Sequence, residues 1–145
     1  MIRGSCLCGK IRYEIRGHPD FINHCHCSIC RKAHGAAFGS FLQASLDLFD
    51  WTSGEELITG YESSPGNKRC FCSECGANMP VIRSWENHVV IPAGTLDDDP
   101  GVRPVVHIFT GSKAPWYEIR DDLPQFQEFP PDDFWERGVG ELDIA

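Results

Sequence analysis

The sequence has few of the features that mark membrane, secreted or nucleic-acid-binding proteins. No stretch approaches the roughly 18 consecutive apolar residues of a membrane-spanning helix, and the first residues contain no apolar stretch long enough for a signal peptide. Lysine and arginine never form a run, and the formal net charge of the 145 residues is −8. Because affinity for nucleic acids and anionic membranes rests on clustered basic residues, we expect neither as a partner. We expect a cytoplasmic protein.

Long low-complexity tracts and domain linkers are also missing, and 41% of the residues are hydrophobic. A chain of this length buries enough surface to fold as one domain. Short alternating segments, such as residues 11–17, are separated by frequent glycine and proline, which favours an all-β sandwich or folded sheet. We predict a single mainly β domain over residues 1–145, of which the last ~20 residues are irregular. The sequence does not indicate an oligomeric state.

The strongest signal is a set of eight cysteines in three groups: Cys6, Cys8, Cys25, Cys27, Cys30, Cys70, Cys72 and Cys75. An even number permits four disulfides, but reduced thiols in a cytosolic chain favour metal binding. In an extended C-x-C segment, two thiolates point to the same face, and a C-x-x-C-G turn also directs both sulfurs inward. The spacing therefore predicts metal-binding cysteine turns.

The first metal site is expected to combine two distant cysteine pairs, Cys6 with Cys8 and Cys72 with Cys75. Four soft thiolates suit Zn²⁺ in a closed tetrahedral site. Such a site joins the N-terminal segment to the middle of the chain, so its predicted role is structural.

The second group, Cys25, Cys27 and Cys30, offers only three thiolates within six residues. A zinc ion with three protein ligands and one open position is the form associated with catalysis. We thus expect two Zn²⁺ ions per chain. In the alternative, Cys70 completes the second site, and the chain is a non-catalytic zinc-stabilised binding module with two closed four-cysteine sites.

Histidines surround the second group, but their positions favour other roles. His24 and His26 alternate with the cysteines, so in an extended segment they face away from Cys25 and Cys27, and we expect them to pack or to support the site. Residues 28–34 are predicted to form a short helix capped by Ser28. His34 at its end is interpreted as a surface histidine.

The cysteine motifs at residues 4–9, 25–32 and 71–76 resemble those of the glutathione-dependent formaldehyde-activating enzyme family, which shares its zinc domain with centromere protein V. The resemblance extends from residue 4 to about residue 124 and implies a β-tent type fold of folded antiparallel sheets. It also implies a structural zinc at the four-cysteine site and a substrate-binding zinc at the three-cysteine site. The name-giving activity condenses formaldehyde with glutathione to S-hydroxymethylglutathione, formally a carbon–sulfur lyase reaction.

This activity fits the chemistry of the second group. Cys25, Cys27 and Cys30 are expected to be metal ligands rather than nucleophiles, and a small thiol is expected to take the open position. Three thiolates leave the zinc site with a net charge near −1, which favours a soft sulfur ligand over water splitting. The candidate partners for the glutathione carboxylates are basic residues, and Phe38 and Trp116 are candidates for the pocket wall. The basic candidates are Arg31, Lys32, Lys68 and Arg69.

Overall fold

The computed structural model describes residues 1–136, and strands dominate that part of the chain. The prediction of a mainly β fold is confirmed. The strands are β1 (Ile2–Ser5), β2 (Arg12–Ile15), β3 (Phe21–Cys25), β4 (Gly39–Ser45), β5 (Phe49–Ser53), β6 (Ile58–Ser64), β7 (Asn67–Cys72), β8 (Asn78–Met79), β9 (Val81–Arg83), β10 (His88–Pro92) and β11 (Pro104–Ile108). The helices are α1 (Ser28–His34) and α2 (Asp132–Glu136).

The described strands form three small sheets. Their strand orders are β1-β2-β5, β11-β3-β4-β10-β9 and β6-β7-β8. Neighbouring strands are antiparallel, with one exception. The exception is β11, which pairs with β3 in parallel so that Ile108 lies opposite Cys25. This parallel pair departs from the purely antiparallel expectation, and it is reached by a long connection because two parallel strands cannot be joined by a hairpin.

Alternating burial explains the packing of the first sheet onto the second. In β2, Tyr13 and Ile15 are buried while Arg12 is exposed, as period-two geometry requires. Tyr13 also bonds across the fold, with its hydroxyl 2.6 Å from Thr95 Oγ1. Two further buried clusters lie beside the cysteine groups. These clusters bury part of each group, namely Cys6 and Cys72 in one and Cys25 and Cys30 in the other, whereas Cys8 is exposed.

The segment that follows the second cysteine turn divides between two sheets. Strand β8 pairs with β7, Pro80 interrupts the strand, and β9 pairs with β10 in another sheet. Proline has no N–H to donate to a ladder, so the chain changes sheets there.

The helices in the described part of the chain are too short to cross a bilayer. Of the terminal stretch expected to be irregular, residues 132–136 form α2, and residues 137–145 lie outside the described residues. The assignment of residues 1–145 to one domain stays a prediction.

A glycine beside the N-terminal cysteine turn offers a test of this architecture. Gly54 has φ of 74°, and a Cβ added there would lie 2.2 Å from the backbone oxygen of Lys10. Gly66 has φ of 78°, but a Cβ there meets nothing within 4 Å. We expect Gly66→Ala to cost about 1 kcal/mol of unfolding free energy and Gly54→Ala about 3 kcal/mol or more. Denaturant unfolding of both variants measures the difference, and equal costs would contradict the close approach of residues 10 and 54.

Candidate metal centres and the adjoining cavity

The first cysteine group assembles from two distant segments. Cys6 and Cys8 follow β1, while Cys72 ends β7 and Cys75 lies in the next turn. Their sulfur atoms all lie within 4.8 Å of one another. Cys6 Sγ is 3.5 Å from Cys8 Sγ, and Cys8 Sγ is 4.0 Å from Cys72 Sγ. Two tetrahedral ligands at a Zn–S distance of 2.3 Å are about 3.8 Å apart, so this spacing fits a bound zinc ion.

The backbone around Cys6 differs from the expectation. The C-x-C segment is a turn rather than an extended stretch, because the N–H of Gly9 donates to the carbonyl of Cys6 over 3.1 Å. The backbone N–H of Ile11 then donates toward Cys6 Sγ over 3.4 Å. On the other side, the N–H of Gly76 donates to the carbonyl of Cys72 over 2.8 Å. Two tight turns, not two strands, direct the four sulfurs toward each other.

The second group is local and is built around the start of α1. Cys25 ends β3, Cys27 precedes the helix and Cys30 lies in its first turn. Their sulfurs lie within 4.8 Å of one another. The helix has the predicted bounds, but its N-cap is Cys27 rather than Ser28, since Cys27 Sγ accepts from the backbone N–H of Cys30 over 3.2 Å. This N-cap hydrogen bond thus fixes the backbone between Cys27 and Cys30.

Close contacts between thiols separate their pKa values. Hydrogen bonds from Cys25 and Cys30 lower the pKa of Cys27 to about 2. The pKa of Cys25 is raised, because Cys25 contacts Cys27. In the first group, the backbone N–H of Ala77 lowers the pKa of Cys75 to about 6. Each group therefore contains a thiol that is ionised near neutral pH. Metal binding requires the thiolate form, so both groups could hold a metal ion.

Cys70 belongs to neither group within the described residues. It lies on β7 two residues before Cys72 and packs beside the first group, next to Met79. The alternative interpretation required Cys70 to complete the second group. That arrangement is not observed, and the second group comprises three thiols.

A cavity of about 410 Å³ opens beside Cys25, Cys27 and Cys30. Its lining includes the apolar side chains of Phe41, Val90, Ile108, Phe109 and Phe129. It also includes the cations Lys68, Arg69 and Arg83, and none of the described lining residues is an aspartate or glutamate. In a chain with a net charge of −8, this wall is a local concentration of positive charge. The cavity therefore favours an anionic ligand.

The structure divides the basic and aromatic candidates. Lys68 and Arg69 line the cavity, whereas Arg31 and Lys32 lie outside the described wall, and Nε of Arg31 donates to the carbonyl of Ser112. Phe38 and Trp116 do not line it either. Phe38 packs against His24 and His26, and Trp116 is 72% exposed beside a separate depression.

His34 was expected at the surface, and this expectation was wrong. It is half-buried, lines the cavity, and packs edge-on against Phe41 with ring centroids 5.2 Å apart. Burial lowers its pKa, so the neutral imidazole is favoured. Its position four residues after Cys30 at the end of α1 was the only signal in the sequence.

His26 is hydrogen-bonded to a second buried histidine, His107. The sequence indicated a supporting role for His26 but gave no signal for His107. Nε2 of His26 lies 2.8 Å from Nδ1 of His107, and Nε2 of His107 lies 2.9 Å from a carboxylate oxygen of Asp121. Because the carboxylate accepts, a neutral His107 donates from Nε2 and accepts at Nδ1 from His26. Burial lowers the pKa of His26 to about 4. These imidazoles anchor the segment between Cys25 and Cys27 from behind.

Comparisons with known proteins identify relatives of the chain. The profile of the family described as glutathione-dependent formaldehyde-activating enzyme matches residues 1–112. A Halomonas elongata protein that bears this family's name is 33% identical over 129 residues, which cover 82% of this chain and 81% of that protein. A crystal structure of a Rhodobacter sphaeroides protein superposes with a TM-score of 0.52 at 23% identity, covering 71% of this chain and 99% of that one. At this identity the likeness concerns the fold alone.

Two cysteines of β7 provide a matched pair of substitutions. Cys72 is fully buried in the four-thiol group, whereas Cys70 lies beside it without joining it. We expect Cys72→Ser to remove one metal ion and unfold the chain, since structural zinc sites contribute about 10 kcal/mol or more to folding. Cys70→Ser should keep the metal content and cost about 1 kcal/mol at most. Elemental analysis with thermal circular dichroism distinguishes them, and a Cys72→Ser protein with the wild-type melting temperature would refute the assignment.

The two groups should also differ in how they release metal. A three-thiol site has a coordination position open to a chelator, whereas a four-thiol site is closed. In a stepwise titration with a mild chelator, we expect one metal ion to leave first with the far-ultraviolet spectrum unchanged. The second ion should leave only as the chain unfolds. Loss of both ions in a single step with unfolding would be the contrary result.

Proposed function

We propose that this chain, which belongs to the glutathione-dependent formaldehyde-activating enzyme family, joins formaldehyde to glutathione at a zinc site formed by Cys25, Cys27 and Cys30. The product is S-hydroxymethylglutathione, and the reaction class is that of a carbon–sulfur lyase. The observation that carries the proposal is the opening of three clustered thiols onto a cavity whose described lining has three cations and no carboxylate.

The donor set supports zinc as the metal in both groups. Thiolates are soft ligands that select zinc among the common divalent ions, and the sulfur spacing suits tetrahedral coordination. We assign a structural zinc to Cys6, Cys8, Cys72 and Cys75 and a substrate-binding zinc to the three-thiol group. When bound there, zinc supplies a positive charge that stabilises a thiol as its thiolate.

The proposed reaction is an addition that needs no oxidant or reductant. The glutathione sulfur forms a bond with the carbonyl carbon, the carbonyl π bond breaks, and the thiol proton ends on the carbonyl oxygen. A neutral base at the cavity wall can carry that proton. We assign this role to His34, because it lines the cavity and burial keeps it neutral.

The cavity has the size and charge for a small peptide thiol. Ligand pockets commonly enclose roughly 300–1,000 Å³, and this one encloses about 410 Å³. Glutathione carries two carboxylates, and Lys68 and Arg83 at the wall are suited to pair with them. The apolar side of the cavity limits the entry of water to the reacting atoms.

The same chemistry suggests where the enzyme works. All eight cysteines are free thiols, and thiolate ligands persist where the redox environment is reducing. We propose a cytoplasmic setting with glutathione and formaldehyde as the small-molecule partners.

A single substitution separates the proposed chemistry from the fold. Cys27→Ser removes one thiolate of the three-thiol group, yet serine is also a favoured N-cap, so α1 should still form. We expect the variant to lose the second metal ion and at least about 100-fold in rate, with the melting temperature within a few degrees of wild type. The assay is the approach to equilibrium between formaldehyde, glutathione and their adduct, corrected for the uncatalysed reaction.

Ser28→Ala is the matched control, because Ser28 neighbours the ligands without belonging to the group. It should retain both metal ions and the wild-type rate. If wild-type protein with two zinc ions does not accelerate the reaction, glutathione is not the thiol substrate. If Cys27→Ser keeps full activity, the three-thiol group is not the reaction site.

A further inference from the structure

Strand β7 contacts both cysteine groups. Cys70 and Cys72 share one face and pack with the four-thiol group. Arg69 has the opposite parity, and its side chain reaches the three-thiol group. Strand β7 therefore brings a permanent cation to a site that is otherwise formed by β3 and α1.

The contacts of Arg69 are directed at a sulfur rather than at a carboxylate. Its Nη2 lies 3.3 Å from Cys30 Sγ, and its Nε donates to Ser63 Oγ over 3.4 Å. The guanidinium carbon lies 5.9 Å from the ring centroid of Phe41. Among the described residues, Arg69 has no ion pair, whereas Arg83 pairs with Glu86 at 3.6 Å. Arg69 also lines the cavity beside the three-thiol group.

We propose that Arg69 is a specificity-determining residue that adapts the three-thiol site to an incoming thiolate by offsetting the charge of Cys30. The inference rests on the proposed function, because it concerns the ligand of that same site. Arg69 acts through Cys30 and is thus a positioning residue rather than a catalytic one.

The charge balance of the site explains the need for such a residue. Three thiolates around a divalent zinc ion carry a net charge near −1, and a fourth thiolate brings it near −2. That charge develops in a half-buried cavity, where repulsion is stronger than in water. A guanidinium within hydrogen-bond distance of one sulfur returns the net charge of the occupied site to near −1. Without it, a fourth thiolate would leave the site near −2 and would bind more weakly.

Lys68 provides the control for this interpretation. It precedes Arg69 on β7 and lines the same cavity, but no described hydrogen bond joins it to a sulfur atom of the three-thiol group. If Arg69 only attracted the carboxylates of glutathione, its substitution would have the same effects on ligand binding as the substitution of Lys68. A cation that adjusts the thiolate site must act on every thiol, including one without a carboxylate.

The test compares ligands in wild type, Arg69→Gln, Arg69→Lys and Lys68→Gln, each loaded with zinc. Isothermal titration calorimetry measures the binding of glutathione, of 2-mercaptoethanol, which has no carboxylate, and of S-methylglutathione, which has no thiol. We expect Arg69→Gln to weaken glutathione and 2-mercaptoethanol by the same factor, roughly 10-fold. Arg69→Lys should recover part of that loss. Lys68→Gln should weaken glutathione and S-methylglutathione and leave 2-mercaptoethanol unchanged.

Other outcomes separate the inference from the function on which it rests. If Arg69→Gln weakens glutathione and leaves 2-mercaptoethanol unchanged, Arg69 is a carboxylate anchor and the inference is overturned. Equal effects of Arg69→Gln and Lys68→Gln on 2-mercaptoethanol also overturn it. If wild type binds S-methylglutathione as tightly as glutathione, the site does not recognise a thiol, and the proposed function fails as well. Near-ultraviolet circular dichroism and the metal content of the four-thiol site verify that each variant is folded. If Arg69→Gln does not fold, Arg69→Lys takes its place in the comparison.

Discussion

The meeting of Cys6 and Cys8 with the end of β7 is the contact on which the rest of this structure depends. Cys8 and Cys72 are 64 positions apart, yet their sulfurs are 4.0 Å from each other. The contact fixes β7, and β7 in turn places Arg69 against Cys30 and Lys68 at the cavity wall. If the four thiols bind a metal ion as proposed, its binding free energy is also folding free energy for these long-range contacts. The second group lies within six residues, so metal binding there would contribute little folding free energy to long-range contacts.

The two cysteine groups differ in the charged side chains around them. The four-thiol group packs against an apolar cluster through Cys6 and Cys72, and no described cation is in hydrogen-bond contact with its sulfurs. The three-thiol group has a guanidinium 3.3 Å from one sulfur and a cavity wall with three cations and no described carboxylate. Two sites made of the same side chain are thus set for different roles by their neighbours. A closed site suits structure, and an open, positively flanked site suits an anionic thiol.

The sequence predicted what short-range geometry determines. The local grouping of Cys25, Cys27 and Cys30, the bounds of α1 and the packing role of His26 follow from spacing. The contacts that give the second site its character join residues far apart in the chain. Arg69 is 39 positions from Cys30, and His107 is 81 positions from His26. The parallel pairing of β11 with β3, which brings His107 beside His26, has no local signal, and neither has the cavity enclosed between the sheets.

Zinc X-ray absorption spectroscopy on the fully loaded wild-type protein tests the central proposal most directly, since it reports the number of sulfur neighbours around the metal. One closed and one open site give an average sulfur coordination midway between three and four, with the remaining position filled by a lighter atom. Adding glutathione should raise the average to four sulfurs per zinc ion. An average of four before any thiol is added would mean that both sites are closed, and the proposed substrate site would then not exist.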